Sequence, residues 1–339
     1  MSPKGNPSAE APDNVPRSKR AHRRRWPLRV LIVLMLLFVG GELFARFYIG
    51  LGDPPLMQAD PQIEYLFKPD QDCKRFGHRI KYNQYSMRSD DVTAHKSAPN
   101  ELRVLVVGDS VVNGGVLTDQ SELATSLLQQ QLAQDLKRPV FVGNISAGSW
   151  GPPNELAYLK RYGLFDADVV VIVLSSHDYV DVPTFEPLVG VNYAFPDHKP
   201  ILALWEGFER YLLPRLKGGT PSNEGLAPAT GPAKAQDIET CMTAIREMIA
   251  RSRAAGAKVI VAQHLERDET LASPFPGHNE IEQECRHDGV TPIELGPFFE
   301  QARKRGQDPY RPGDHIHPNA VGQREMFEAL LPGIEEAVR

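Results

Sequence analysis

The run Leu102 to Val107, LRVLVV, constrains this chain more than any other stretch. It is rich in β-branched residues and shows no regular alternation of polar with apolar, which is how a strand buried on both faces of a parallel sheet reads. Parallel neighbours need crossover connections, so the chain around this run must alternate strands with helices. Gly108-Asp109-Ser110 then stops the strand. A serine at the carboxyl end of a central parallel strand, ahead of a helix, stands where open α/β sheets place their ligands. Taken alone, the three residues read more simply as a strand-to-helix turn whose serine caps the helix.

The other end of the chain bears on that choice. Asp314-His315-Ile316-His317-Pro318-Asn319 precedes an apolar-periodic segment, and Pro318 suits the first turn of a helix, which puts His317 in the loop just before it. An aspartate three residues before a histidine in a tight loop can turn back on the imidazole and accept its Nδ1 hydrogen. Nε2 is then left to take a proton from a serine. Ser110, His317 and Asp314 are thus a candidate nucleophile, base and orienting acid.

The two blocks resemble those of the SGNH (GDSL-type) hydrolase superfamily. Its first block is GDS followed by a glycine, here Gly114, and its last is DxxH continued as HPN and a glycine, here Pro318, Asn319 and Gly322. The resemblance runs from Leu102 to the C-terminus. It implies an α/β fold, a three-layer doubly wound parallel sheet of flavodoxin-like type, and ester chemistry on Ser110. The superfamily's second block carries a glycine five residues after an asparagine such as Asn144, and its backbone N–H helps to bind the oxyanion; Ser149 occupies that position here. A serine keeps the N–H but crowds the approach. The third block is GxND or GxNE, and here Ser175 replaces its glycine and His177 its oxyanion-binding asparagine. A neutral imidazole can donate one hydrogen bond, so the implied oxyanion hole is the N–H groups of Ser110 and Ser149 with the His177 side chain. Asp109 and Asp178 are expected to support it. Upstream, Ile80 to Arg88 is similar to the N-S-x-G-x-R stretch of membrane-anchored bacterial members, with Ser86 in place of the glycine, and reads equally as a strand with a turn packing on the domain edge.

Charge is unevenly spread. The first 29 residues carry eight Lys and Arg against two acids, although the whole chain is at −5. Nucleic-acid binding is not needed to explain this, because the basic run Arg17 to Arg25 abuts the apolar stretch Val30 to Gly41. A basic flank keeps its side of a hydrophobic segment in the cytoplasm. Leu28 to Ile49 is long enough to span a bilayer at ~1.5 Å per residue. We read it as an uncleaved signal anchor in preference to a cleaved signal peptide, because no convincing small-x-small site follows. Either reading exports the rest of the chain.

The expected organisation is a disordered basic cytoplasmic tail at 1–27, a transmembrane signal anchor at 28–49, an extended arm at 50–100 and an SGNH-like domain at 101–339. Its expected strands are Leu102–Val107, Pro139–Ile145, Asp168–Leu174, Lys258–Ala262 and Thr291–Leu295. Helices are expected from a Ser121 cap to Leu136, over Asp237–Ala254 and Asn279–Arg286, and at the C-terminus. An aromatic-rich excursion and a Gly/Pro/Ala/Ser loop at 182–234 interrupt the alternation and read as a lid and a flexible loop, or as a satellite core. Cys73, Cys241 and Cys285 are too few and too scattered for a metal framework, and no cofactor is expected. A bridge between Cys241 and Cys285 is disfavoured by their places in expected helices. The reading is a serine esterase or O-acyl (acetyl) transferase of the bacterial inner membrane, facing the periplasm or outside, acting on an ester of a carbohydrate or small molecule. The alternative is a catalytically weak SGNH-fold binding or scaffold protein of an envelope polysaccharide complex.

Overall fold

The computed structural model describes residues 18–216 and 233–339. Most of the expected tail and nearly all of the loop expected at 217–234 lie outside the described residues. Two units are distinguished, Met1–Phe44 and Ala45–Arg339. The first contains the helix Ser18–Phe44, and the helical stretch Arg25–Ile49, with a mean hydropathy of 2.2, is long and apolar enough to cross a membrane.

In the second unit, β1 (Met57–Asp60) pairs with β2 (Glu64–Phe67) and β3 (Gln71–Arg75) with β4 (His78–Tyr82), each as an antiparallel hairpin. A parallel five-stranded sheet follows, made of β5 (Leu102–Gly108), β6 (Val140–Ser146), β7 (Val169–Ser175), β8 (Lys258–His264) and β9 (Ile293–Glu294). Its spatial order is β6-β5-β7-β8-β9. The order reverses at β5, so the chain leaves this strand where flanking connections diverge and open a crevice.

Every residue of β5 and β7 is buried. Leu105 and Val107 of β5, with Val170, Ile172 and Leu174 of β7, enter one core with the helices Pro152–Tyr162, Ala235–Ala254 and Pro276–His287. Leu102, Val104 and Val106, with Val169, Val171 and Val173, enter the other with the helices Ala124–Leu136, Gly296–Lys304 and Ala320–Ala337. Side chains alternate across a strand, so two covered faces demand the near-continuous apolar run seen in the sequence. Each such Val or Leu contributes about 2 kcal/mol relative to exposure.

Some boundaries differ from expectation. Ser121 does not cap the helix: Asp119 accepts the Ser121 N–H at 3.0 Å and starts a single tight turn, Gln120–Glu122, before the α-helix begins at Ala124. Pro318 lies outside the C-terminal helix. Asn319 is the N-cap, its Oδ1 accepting the N–H groups of Val321 at 2.8 Å and Gly322 at 3.1 Å. A side chain that satisfies two orphan donors fixes a helix start better than proline's φ preference does. The helices Pro152–Tyr162 and Gly296–Lys304 were not anticipated, although both carry a proline in the first turn after a glycine or leucine boundary.

The segment 50–100 is more than an extended arm. Ile63, Tyr65, Phe67, Ile80, Tyr82 and Met87 are buried in the same core as Leu105 and Val107. Apolar and aromatic side chains at this density are covered only by packing onto the sheet layer. Arg88 locks the segment there. It is fully buried, and its guanidinium donates to the carbonyls of Asn113 and Gly115 and, at 2.7 Å, to that of Thr118. In the excursion, Phe195 is buried edge-on to Tyr65 at 5.0 Å, whereas Phe185, Tyr193, Trp205 and Phe208 are exposed. All three cysteines are buried free thiols.

Arg88→Ala would leave three carbonyls without their charged donor, and hydrogen bonds to charged groups contribute about 1.5–3 kcal/mol each. We expect the melting temperature to fall by roughly 9–18 °C, the equivalent of about 4.5 kcal/mol, the lower end for three such bonds. Arg88→Lys, which cannot reproduce the planar fork, should recover only part of the loss in differential scanning fluorimetry.

Candidate active site

β5 delivers Ser110. Asp109, at the strand end, accepts the Val111 N–H on Oδ1 at 2.8 Å and so begins the short helix Ser110–Asn113 with the serine as its first residue. Gly114 closes that helix at φ +71, where a Cβ would lie 2.5 Å from the Leu123 side chain. The turn therefore needs glycine on two counts. Behind it, Asn144 of β6 donates to the Val112 carbonyl at 2.9 Å, and Asn113 donates to that of Ser146 at 3.0 Å.

The loop before the C-terminal helix supplies an imidazole. His317 Nε2 lies 2.9 Å from Ser110 Oγ, and His317 Nδ1 lies 2.7 Å from Asp314 Oδ2. The other Asp314 oxygen accepts the backbone N–H groups of Ile316 and His317, each at 2.9 Å. Burial alone would raise the Asp314 pKa, but the hydrogen bond and charge of His317 and the two N–H donors outweigh it and hold the carboxyl below its usual range. An ionised Asp314 fixes Nδ1 as the protonated nitrogen and leaves Nε2 to accept from the serine hydroxyl. The structure thus brings Ser110, His317 and Asp314 into one relay.

Four residues that sequence reasoning did not select hold this loop. Arg311 donates to the Gly114 carbonyl at 2.7 Å and ties the histidine loop to the serine loop. Arg267 donates to the Asp314 carbonyl at 2.8 Å, and the Tyr310 hydroxyl to that of Leu265 at 2.6 Å. His264, fully buried at the end of β8, donates through Nε2 to the Ile316 carbonyl at 2.9 Å. A polar residue at the carboxyl end of a buried strand was a usable signal for His264; the arginines gave none. Gly322 lets the helix approach: a Cβ there would sit 2.3 Å from the Pro309 carbonyl oxygen.

Ser149 adopts φ +59. The backbone therefore keeps the left-handed conformation expected of a glycine at this position, and the serine bears its cost. Ser86, the other serine standing for an expected glycine, does the same at φ +62.

His177 faces carboxylates. Its Nε2 is 3.3 Å from Asp109 Oδ2 and 3.7 Å from Asp178 Oδ1, and its Nδ1 is 3.9 Å from Glu266 Oε1. Burial would lower its pKa, but Asp178 and Asp109 beside it push it up to about 10. The shift favours the imidazolium form, in which both ring nitrogens are N–H donors, over the neutral single-donor form. Nδ1 has no hydrogen-bond partner. Asp178 accepts the Ser175 N–H at 2.6 Å. The ligand atoms of Asp109, His177 and Asp178 lie within 4.8 Å of one another, close enough to share one cation. Sequence spacing gave no hint of this group, and the imidazolium already supplies a positive charge there. Nearby, Glu155 is fully buried with both oxygens unpartnered, and burial holds its carboxyl well above the usual range.

Residues 106–325 match the GDSL-like Lipase/Acylhydrolase family, 220 of the chain's 339 residues. No curated protein matches the sequence. Among solved structures, TesA is 20% identical with a TM-score of 0.42, over 69% of this chain and 99% of that one. The acetyl xylan esterase AlAXEase is 14% identical with a TM-score of 0.43, over 69% and 100%. A mutant of Axe2, an acetyl-xylooligosaccharide esterase from Geobacillus Stearmophilus, is 13% identical with a TM-score of 0.41, over 70% and 95%.

His264 gives the site an acid limit. Burial lowers its pKa from 6.5 to about 4, outweighing the raising effect of the Ile316 carbonyl and of Asp109. Between those values the unfolded chain binds the proton and the folded chain refuses it, so stability falls as pH drops through this window. The loss reaches about 3 kcal/mol at the lower end. Thermal melts across the window should show a shallower pH slope for His264→Gln than for the parent.

Proposed function

Because the chain belongs to the GDSL-like lipase/acylhydrolase family, whose members cleave esters, we propose that it is a membrane-anchored serine esterase or O-acyl transferase acting on an ester of a carbohydrate or small molecule. The observation that carries this reading is the relay of 2.9 Å from Ser110 to His317 and 2.7 Å from His317 to Asp314.

The Ser110 hydroxyl attacks the acyl carbon as its proton passes to His317 Nε2. Asp314 stabilises the imidazolium that forms, without taking the proton. The oxyanion of the tetrahedral intermediate accepts from the N–H groups of Ser110 and Ser149 and from the His177 imidazolium. His317 then protonates the leaving alcohol oxygen as the ester C–O bond breaks, which leaves the acyl group on Ser110. In the second half an acceptor hydroxyl loses its proton to His317, attacks the acyl carbon, and the proton returns to Ser110. Water as acceptor gives hydrolysis, and a sugar hydroxyl gives acyl transfer.

The apolar helix near the N-terminus supports anchoring, and the basic residues before it favour a cytoplasmic N-terminus with the hydrolase unit in the periplasm of a bacterium. A reporter active only in the periplasm should work when fused after Arg339 and fail when fused before Arg17; the reverse pattern excludes this topology.

The full-length protein in detergent should hydrolyse short-chain aryl esters and gain one adduct from a small fluorophosphonate, and Ser110→Ala should lose both. Intact-mass analysis without a Ser110-dependent adduct would favour a binding role for the fold. Removing His177 as Ala should lower kcat on the order of 10²–10³-fold, and Asn should restore part of it, because it supplies a donor to the transition state but no counter-charge to Asp109. A near-native kcat in a folded His177→Ala protein would remove His177 from the mechanism.

A further inference from the structure

The helical residues 203–216 carry their polarity the wrong way round for a helix on a domain in water. Such a helix turns its apolar stripe to the core and its charges to solvent. Here Glu206 and Arg210 are buried, whereas Trp205, Phe208 and Leu212, spaced three and four residues apart, are 56%, 40% and 48% exposed. Ile201, just before the helix, is 93% exposed. The rings of Trp205 and Phe208 lie 5.7 Å apart, so the outer side presents an apolar stripe and not scattered residues.

The buried charges have found each other. Glu206 accepts from Arg75 and, at 2.5 Å, from the Gly52 N–H, and it lies 3.8 Å from Arg210. The Tyr211 hydroxyl accepts from Arg75 at 2.9 Å. Arg210 also lines the part-open cavity beside Ser110, together with a hairpin wall of Met57, Tyr65, Phe67 and Tyr82. Burying an ionic cluster while leaving aromatic rings outside gains little in water, because desolvating the charges offsets their attraction. The arrangement fits a helix whose outer side does not face water.

Its place in the hydrolase unit says what that side faces. The stretch long and apolar enough to cross a membrane ends at Ile49, and its last residues, Ala45–Ile49, belong to this unit. Ala45 and Leu51 form a small core with Ala203, joined by Ile49 and Tyr211, and Arg46 donates to the Ile201 carbonyl at 2.9 Å. The helix is thus fastened at its start to the residues where the chain leaves the bilayer. A headgroup layer is about 5–7 Å deep on each side of the hydrocarbon. A helix is about 10 Å across, so one packed on Ala45 lies in or against that layer. Trp, Phe and Leu on one face are the side chains that enter it.

Resting on the membrane-anchored reading above, the geometry points to residues 203–216 as an interfacial helix that binds the lipid surface. Trp205, Phe208 and Leu212 are then a second contact with the membrane, which holds the hydrolase unit down on the bilayer instead of leaving it on a tether.

The test places the full-length protein in phosphatidylcholine–phosphatidylglycerol vesicles and reads tryptophan emission. Of its three tryptophans Trp150 is buried, and a Trp26→Phe background leaves Trp205 as the exposed reporter. Lipids brominated on the acyl chains near the headgroup should quench the Trp205 emission by roughly half, with a Trp26→Phe/Trp205→Phe protein as the baseline. Adding Phe208→Glu and Leu212→Glu should reduce that quenching about threefold or more, in a protein that still floats with the vesicles and keeps its melting temperature. Trp205 emission that brominated lipid leaves unchanged would overturn the proposal. So would quenching that survives both glutamates in the folded variant. An unquenched Trp205 together with a detergent-solubilised dimer that the glutamates break would assign the stripe to a second copy of the chain. A parent protein that does not float with the vesicles would instead defeat the anchored reading, and this inference with it.

Discussion

Burial of β5 on both faces is the constraint on which the rest depends. A strand covered on both sides has no place for a reactive polar group along its length, because an unpaired polar atom in either layer costs several kcal/mol. Chemistry is displaced to the strand's carboxyl end, where the order of the sheet reverses and the layers part. Ser110 stands there, Ser149 follows the neighbouring β6, and His177 follows β7 on the other side. The three positions proposed for the oxyanion hole thus come from three adjacent strands of one sheet.

The base reaches this place from the far end of the chain. A loop cannot hold an imidazole to within a few tenths of an ångström without its own scaffold, and here the scaffold consists of donors aimed at backbone carbonyls. Arg311, Arg267, Tyr310 and His264 fix carbonyls on both sides of the serine–histidine contact. Such bonds orient the backbone without competing for the side chains that carry the proton. His317 is therefore free to bridge Ser110 and Asp314.

His177 shows how surroundings alter a residue's chemistry. Asp109, 3.3 Å away, favours the charged ring, and that charge lowers the Asp109 pKa despite its burial, whereas burial pushes the Asp178 carboxyl well above its usual range. Asp109 thus serves both as the helix cap that places Ser110 and as the counter-ion of His177. An asparagine in place of His177 would offer a donor but no counter-charge.

The sequence by itself determined the sheet, the serine and the histidine–aspartate pair, because each is written locally: five apolar runs, a strand-ending Gly-Asp-Ser, and an aspartate three residues before a histidine. The positive φ at Ser86 and Ser149 was not among these readings, although the expected pattern has glycine at both positions. What only the tertiary structure decided is whatever depends on groups remote in sequence meeting in a low-dielectric interior. The charge on His177, the arginines that hold the histidine loop and the hairpin wall beside Ser110 all belong to this class. The segment 50–100 looked like an arm because its hairpins have no sufficient core of their own, and they bury their aromatic rings only against a sheet formed later in the chain.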